Sequence, residues 1–73
     1  MQVLITFHTT FNVLKLEKYA QEAGIPGQIR PVPRRYSANC GLAWIGPGET
    51  REALLELIEA YQIEIDNLYE IED

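Results

Sequence analysis

The alternation of strand-like and helix-like patterns is the feature that most restricts the fold. Four short segments, 2–7, 28–32, 40–45 and 67–71, are rich in the β-branched and aromatic residues that favour strands. Two segments between them repeat apolar residues at helical spacing. The order is therefore strand–helix–strand–strand–helix–strand. In a chain of 73 residues, this order predicts one α+β domain over residues 1–73, a ferredoxin-like βαββαβ sandwich. We expect a four-stranded antiparallel sheet in the order 4-1-3-2, with both helices on one face.

Local signals predict where the helices begin and end. Thr9 or Thr10 has a hydroxyl that can accept the free backbone N–H groups of the first helical turn. Gly24 suits the left-handed residue that often follows a helix. Glu49 and Glu52 suit the positive end of the second helix. The helices are thus expected between about Thr10 and Gly24, and after Glu49.

Proline and glycine predict the strand positions. Pro31 has no N–H to donate, so we expect the second strand at an edge of the sheet. Residues 46–48, Gly-Pro-Gly, are expected to end the third strand. Alternation in that strand places Ala43 and Ile45 on the face that carries no helix.

Composition and charge exclude several classes of protein. Hydrophobic residues make up 47% of the chain, which supports a folded core, and the single cysteine excludes an internal disulfide framework. No signal peptide or long apolar run is present, so we expect a cytoplasmic protein that does not enter a membrane. Residues 49–73 carry a net charge of −8, which disfavours nucleic acid as a partner. Residues 23–48 carry +3.

The loop Arg34-Arg35-Tyr36-Ser37-Ala38-Asn39-Cys40-Gly41 is the candidate functional site. The predicted topology brings the His8-Thr9-Thr10 turn and the N-terminus of the first helix to the sheet end where Cys40 lies. A helix N-terminus and nearby arginines favour the nucleophilic thiolate. The same backbone N–H groups would bind a small anion near Cys40, and Gly41 leaves room for a ligand beside the sulfur.

The residues alone leave other roles open for this site. Cys40 could be a buried, inert cysteine, and His8 could be its base or could cap the backbone of a turn. A protease-type triad is not expected, because no acidic residue lies near the loop in sequence. One cysteine and one histidine make only half of a structural zinc set, so we expect no metal and no cofactor.

A family resemblance extends over nearly the whole chain. It is carried by Ile5-Thr6-Phe7-His8-Thr9-Thr10, Leu16-Glu17-Lys18, Ala23-Gly24-Ile25, Pro31-Val32-Pro33-Arg34 and Ser37-Ala38-Asn39-Cys40-Gly41-Leu42-Ala43. These segments resemble the small family of selenium/sulfur carrier-like proteins, most specifically between Pro33 and Gly41. The resemblance implies that Cys40 holds sulfur or selenium. The expected site residues around Cys40 are His8, Thr9, Thr10, Arg34, Arg35, Ser37, Asn39 and Gly41.

Two functions of different classes follow. The first is a carrier that takes a persulfide sulfur, or selenium, from a donor of the cysteine desulfurase type and passes it to an acceptor protein. The second is a non-enzymatic interaction or dimerisation module with a structural cysteine, in which Ala43 and Ile45 supply an apolar sheet face for a homodimer. A redox sensor that forms a Cys40–Cys40 disulfide between chains is a third hypothesis. Whether the protein is an enzyme stays open.

Overall fold

The computed structural model describes residues 1–36 and 40–72. Its elements, in chain order, are β1 (Gln2–Thr6), α1 (Thr10–Glu22), β2 (Gln28–Pro31), β3 (Leu42–Pro47), a 3₁₀ turn (Gly48–Thr50), α2 (Arg51–Ala60) and β4 (Asn67–Ile71). The predicted order of strands and helices is confirmed.

The four strands form one antiparallel sheet in the order β2-β3-β1-β4. Read from the β4 edge, this is the predicted order 4-1-3-2. In the central pair, Thr6 lies opposite Ala43 and Gln2 lies opposite Pro47. The end of β1 and the start of β3 therefore share one end of the sheet, which we call the site end. The architecture is an α+β fold in the ferredoxin-like range.

Both helices pack on one face of the sheet, as predicted. Leu16 of α1 and Leu54 of α2 lie in the same buried cluster as Ile5 and Trp44, which are paired across the sheet. The other buried members of this cluster are Val3, Phe7, Val13, Ala20 and Ile63. Full burial of one such large apolar side chain contributes about 1.5–3 kcal/mol. This layer between helices and sheet is therefore the main source of stability.

The face without helices is covered by the loop after β2. Leu4, Thr6 and Ala43 point to this face, yet each is 0% exposed. The Tyr36 ring lies 4.5 Å from the ring of Tyr69 in β4, at the opposite edge of the sheet from β2. The loop therefore crosses above this face. The prediction that Ala43 presents apolar surface there was wrong, because Ala43 is fully buried; Ile45 is half-buried.

The third strand begins and ends two residues later than predicted. At its start, Gly41 has a φ of +76°, which is outside the strand region. At its end, the pair Gly46-Pro47 does not interrupt the strand, which runs to Pro47. The Val32 N–H donates to Gly41 O at 3.0 Å, so strand alternation turns the Pro47 nitrogen toward the β2 side. β2 begins only opposite Ile45, so no residue of β2 lies opposite Pro47, and its missing N–H removes no hydrogen bond between β2 and β3.

Pro31 of β2 also lies where its missing N–H removes no hydrogen bond from the sheet. β2 is an edge strand, as predicted. The hydrogen bond from Val32 to Gly41 means that Val32 faces β3 and Pro31 faces outward. Its missing N–H is therefore on the unpaired side.

The helix ends agree with the local signals. Thr9 is the N-cap of α1, and its side chain accepts a hydrogen bond from Asn12 N at 3.4 Å. Gly24, with φ +73°, follows the helix, and the Ile25 N–H donates to Ala20 O at 2.8 Å, as in a Schellman ending. Glu52 lies in the first turn of α2, whereas Glu49 belongs to the preceding 3₁₀ turn.

Candidate functional site

Cys40 lies just before β3, at the boundary between core and solvent. It is a free, partly buried cysteine that packs against the cluster on the helix side of the sheet. Its Sγ–H donates to the carbonyl oxygen of Leu42 at 3.4 Å. The thiol is thus held by packing and one weak hydrogen bond, in a residue that is only partly buried.

The backbone next to Cys40 requires glycine. Gly41 has a φ of +76°, but a Cβ built on it would meet no atom within 4 Å. The requirement is therefore conformational and not steric. Since Gly41 O accepts the Val32 N–H, the base of the loop is closed directly beside the thiol. Ligand approach at Gly41 stays a prediction.

The two predicted arginines lie on the exposed part of the loop. Residues 33–36 form a turn in which the Tyr36 N–H donates to Pro33 O at 3.0 Å. Arg35 borders a cavity of about 200 Å³ together with Pro33, Tyr36, Ile71 and Glu72. Ile71 pairs with Gln2, at the far end of the sheet from Thr6. The loop therefore carries Arg35 toward Glu72 and away from the site end, in contrast to the convergence expected from sequence.

The site end also contains an aspartate, Asp66, which the sequence analysis did not include among the site residues. The Asp66 N–H donates to Thr6 O at 2.7 Å, and Thr6 Oγ1 donates to Asp66 Oδ2 at 3.4 Å. His8 Nε2 lies 3.6 Å from Asp66 Oδ1. No acid lies near the loop in sequence, yet the fold brings one to His8. The signal was available in the topology, because Asp66 directly precedes β4 and β4 pairs with β1.

The start of α1 is tied to the same segment before β4. Thr9 Oγ1 accepts from Asn12 Nδ2 at 3.1 Å, and Asn12 Oδ1 accepts from the Glu64 N–H at 3.2 Å. Glu64 and Asp66 are thus brought to the helix N-terminus. Their negative charges oppose the small anion that the sequence predicts there, and anion binding stays a prediction.

The site end therefore collects part of the predicted set. His8, Thr9 and Thr10 follow β1 at this end, while Cys40 and Gly41 precede β3. The described contacts of Cys40 and His8 go to different partners, namely Leu42 and Asp66. Ser37 and Asn39, also predicted as binding residues, lie outside the described residues.

Residues 1–36 and 40–72 were compared with two kinds of feature, a metal-binding cluster and a membrane-spanning helix. Within those ranges, His, Cys, Asp and Glu side chains form no group of three or more that could hold a metal ion. None of the helices there is long and apolar enough to cross a membrane.

Comparison with known proteins gives one result. No match was found among curated proteins or among solved structures. A family profile, described as "Putative Se/S carrier protein-like", matches residues 2–70. That match includes every strand but the last residue of β4, both helices and the segment that holds Cys40. The chain therefore belongs to the Se/S carrier protein-like family.

Proposed function

We propose that this protein carries sulfur or selenium on Cys40 and passes it to a partner protein. The family membership over residues 2–70 is the observation that carries the proposal. Cys40 is the only cysteine of the chain, so a persulfide on it cannot be discharged as an internal disulfide. Cys40 is only partly buried at the edge of the core, which supports access by a second protein.

The proposed transfer is an exchange at sulfur that needs no external oxidant. The Cys40 thiolate attacks the outer sulfur of a cysteine persulfide on the donor. A new bond forms between Cys40 Sγ and that sulfur, and the donor's S–S bond breaks. The donor cysteine leaves as a thiolate and the proton stays on the transferred sulfur. Delivery repeats the exchange, with an acceptor thiolate as nucleophile and Cys40 as leaving group. Selenium in place of the outer sulfur follows the same steps.

The polar residues at the site end have supporting roles in this proposal. In this proposal His8 is the base that takes the proton of the Cys40 thiol, and the Asp66 carboxylate stabilises the imidazolium that results. The pair between His8 Nε2 and Asp66 Oδ1 at 3.6 Å supports the second part of this assignment, the partnership of imidazole and carboxylate; the described contacts of Cys40 and His8 go to different partners, so the proton transfer between them rests on the proposal itself. A cytoplasmic location also belongs to the proposal, because a reducing compartment keeps the single thiol free between transfers.

The direct test is the intact mass of the protein after incubation with a cysteine desulfurase and cysteine. We expect a gain of one sulfur atom that a reductant removes. The Cys40→Ser variant is expected to gain none, and His8→Gln to load more slowly while keeping the same final mass. A wild-type protein that folds normally and never gains sulfur, while a small-molecule thiol in the same tube does, would contradict the proposal.

A second candidate is an interaction module in which Cys40 is structural. It is favoured by the packing of Cys40 against the buried cluster and by its hydrogen bond to Leu42 O. In this case Cys40→Ala lowers the free energy of unfolding by about 1 kcal/mol, the size of a partly buried small-side-chain loss, and the wild type takes up no sulfur. Sulfur uptake by the wild type therefore separates the two functions, and unfolding of Cys40→Ala measures how much the side chain contributes to stability.

A further inference from the structure

The outward ridge of α1 is apolar and basic. Phe11 is 70% exposed and Leu14 is 52% exposed, which is unusual for large hydrophobic side chains. Lys15 and Lys18, the only lysines of the chain, follow on the same face at helical spacing. The Lys15 ammonium lies 6.0 Å from the centre of the Phe11 ring. We call Phe11, Leu14, Lys15 and Lys18 the basic ridge; it lies opposite the buried side of α1, which holds Val13, Leu16 and Ala20.

The outward ridge of α2 is acidic. Glu52, Glu56 and Glu59 are exposed and are spaced by four and three residues, so they share one face of the helix. That face lies opposite the buried Leu54. We call these three glutamates the acidic ridge. The small residues Ala53 and Ala60 flank it and help to line a cavity of about 380 Å³ between α2 and the segment that follows α1.

The two ridges lie side by side on the layer of helices. The rings of Tyr19 and Tyr61 stack between the helices, with centroids 3.8 Å apart and planes 6° from parallel. The topology makes α1 and α2 antiparallel. The ion pairs found among the described residues are His8–Asp66 and Arg51–Glu52. Neither joins a lysine of the basic ridge to a glutamate of the acidic ridge.

We propose that the helix layer binds a second copy of this chain about a two-fold axis that lies between the two facing layers and runs parallel to the helices. Such an axis places the basic ridge of each copy over the acidic ridge of the other. A two-fold contact is closed, so both ridges of both copies are satisfied and no surface is left for a third copy. Phe11 and Leu14, near the start of α1, then meet the small Ala60 at the end of the other copy's α2.

Charge complementarity within one face is the reason for choosing a second copy over an unrelated partner. An acidic partner would satisfy only the basic ridge, and a basic partner only the acidic ridge. The net charge of −5 opposes random encounters between copies. Association therefore depends on the register of the ridges and weakens as salt screens it. This inference does not depend on the chemistry of Cys40.

The test is sedimentation equilibrium of the wild type and of paired charge variants. We expect wild-type dimers with a Kd tighter than about 1 mM at low salt. Lys15→Glu/Lys18→Glu makes both ridges acidic, and Glu56→Lys/Glu59→Lys makes both more basic. Each variant is expected to weaken dimerisation at least tenfold by placing like charges together. A mixture of the two is expected to form a heterodimer, and one chain with all four substitutions is expected to dimerise with itself.

The control variant has the same change of net charge as Lys15→Glu/Lys18→Glu, but outside the two ridges. Arg30→Glu/Arg34→Glu alters exposed arginines outside the helix layer and is expected to keep at least half of the wild-type affinity after correction for net charge. Circular dichroism of every variant verifies folding. A wild type that stays monomeric, or a dimer that survives Lys15→Glu/Lys18→Glu but is lost in the control, would overturn the proposal. So would folded variants whose mixture shows no heterodimer.

Discussion

The two ends of the sheet are built in different ways. At the far end, where β1 begins and β3 ends, two glycines lie where an added Cβ would overlap a neighbouring atom. A Cβ on Gly27 would lie 2.4 Å from Trp44 Cζ2, and one on Gly46 would lie 2.9 Å from Pro26 O. At the site end, polar side chains make the connections, as in the contacts of Asp66 with Thr6 and His8.

Because of this difference, we expect the far end to determine stability and the site end to carry the chemistry. The far end is closed by close packing, so changes of shape there act on the free energy of unfolding. The site end is held by individual hydrogen bonds and is half open to solvent, so single substitutions there cost less and leave the fold intact. The proposed carrier function would use that second kind of surface, because a thiol that takes and delivers sulfur has to be reached by other proteins.

The largest effect is expected for Gly27→Ala at the far end. The added methyl overlaps the Trp44 indole, which is 1% exposed and has no space to move into. We expect a loss of about 3 kcal/mol, the upper range for overpacking of a core. Gly41→Ala at the site end is the matched control. It also has positive φ but open space around the Cβ, so about 1–2 kcal/mol is expected.

Urea unfolding followed by tryptophan fluorescence measures both variants. Equal losses for Gly27→Ala and Gly41→Ala would show that backbone conformation alone matters and that the two ends do not differ.

Removing the aspartate at the site end is expected to have the next largest effect. In Asp66→Ala, the buried Thr6 hydroxyl loses its acceptor and His8 loses its ion partner. An unsatisfied buried hydroxyl costs about 1–3 kcal/mol, so we expect about 1.5 kcal/mol. Thr6→Val in the same background should recover most of that loss, because it removes the unsatisfied donor. No recovery in the double variant would contradict this account.

The helix cap should contribute somewhat less. Thr9→Ala removes the side chain that accepts from Asn12 N and Asn12 Nδ2, and loss of such a cap costs about 1 kcal/mol. Thr10→Ala, one residue into the helix, is the control and should be within about 0.5 kcal/mol of wild type. Thermal unfolding by circular dichroism compares the two, and a larger loss for Thr10→Ala would contradict the assignment of the cap.

The smallest change, and of the opposite sign, is expected at the end of α2. Gln62 has a φ of +53°, and the Ile63 N–H closes the helix on Ile58 O at 2.9 Å. Gly24 occupies the equivalent position after α1. Replacing Gln62 with glycine relieves the left-handed strain at some cost in chain entropy, so we expect stabilisation by about 0.5 kcal/mol. A loss of stability in chemical denaturation would show that the Gln62 side chain makes up for its strain.

Local chemistry was enough to predict much of this protein. The order of strands and helices, the cap at Thr9, the ending at Gly24, the edge position of Pro31 and the strand Asn67–Ile71 each depend on residues next to one another in the chain. The choice of Cys40 as the candidate residue likewise came from its immediate neighbours and from a resemblance that the family match confirms.

The tertiary structure alone decided the surroundings of that cysteine. Asp66 reaches His8 because β4 pairs with β1, although 58 positions separate the two residues in the sequence. The contact of Tyr36 with Tyr69 carries the loop toward β4 and brings Arg35 near Glu72, while Ala43 on the helix-free face is fully buried. Such contacts depend on sheet register and loop path. Those follow from the packing of the whole chain, since no short segment has enough contacts of its own to determine them.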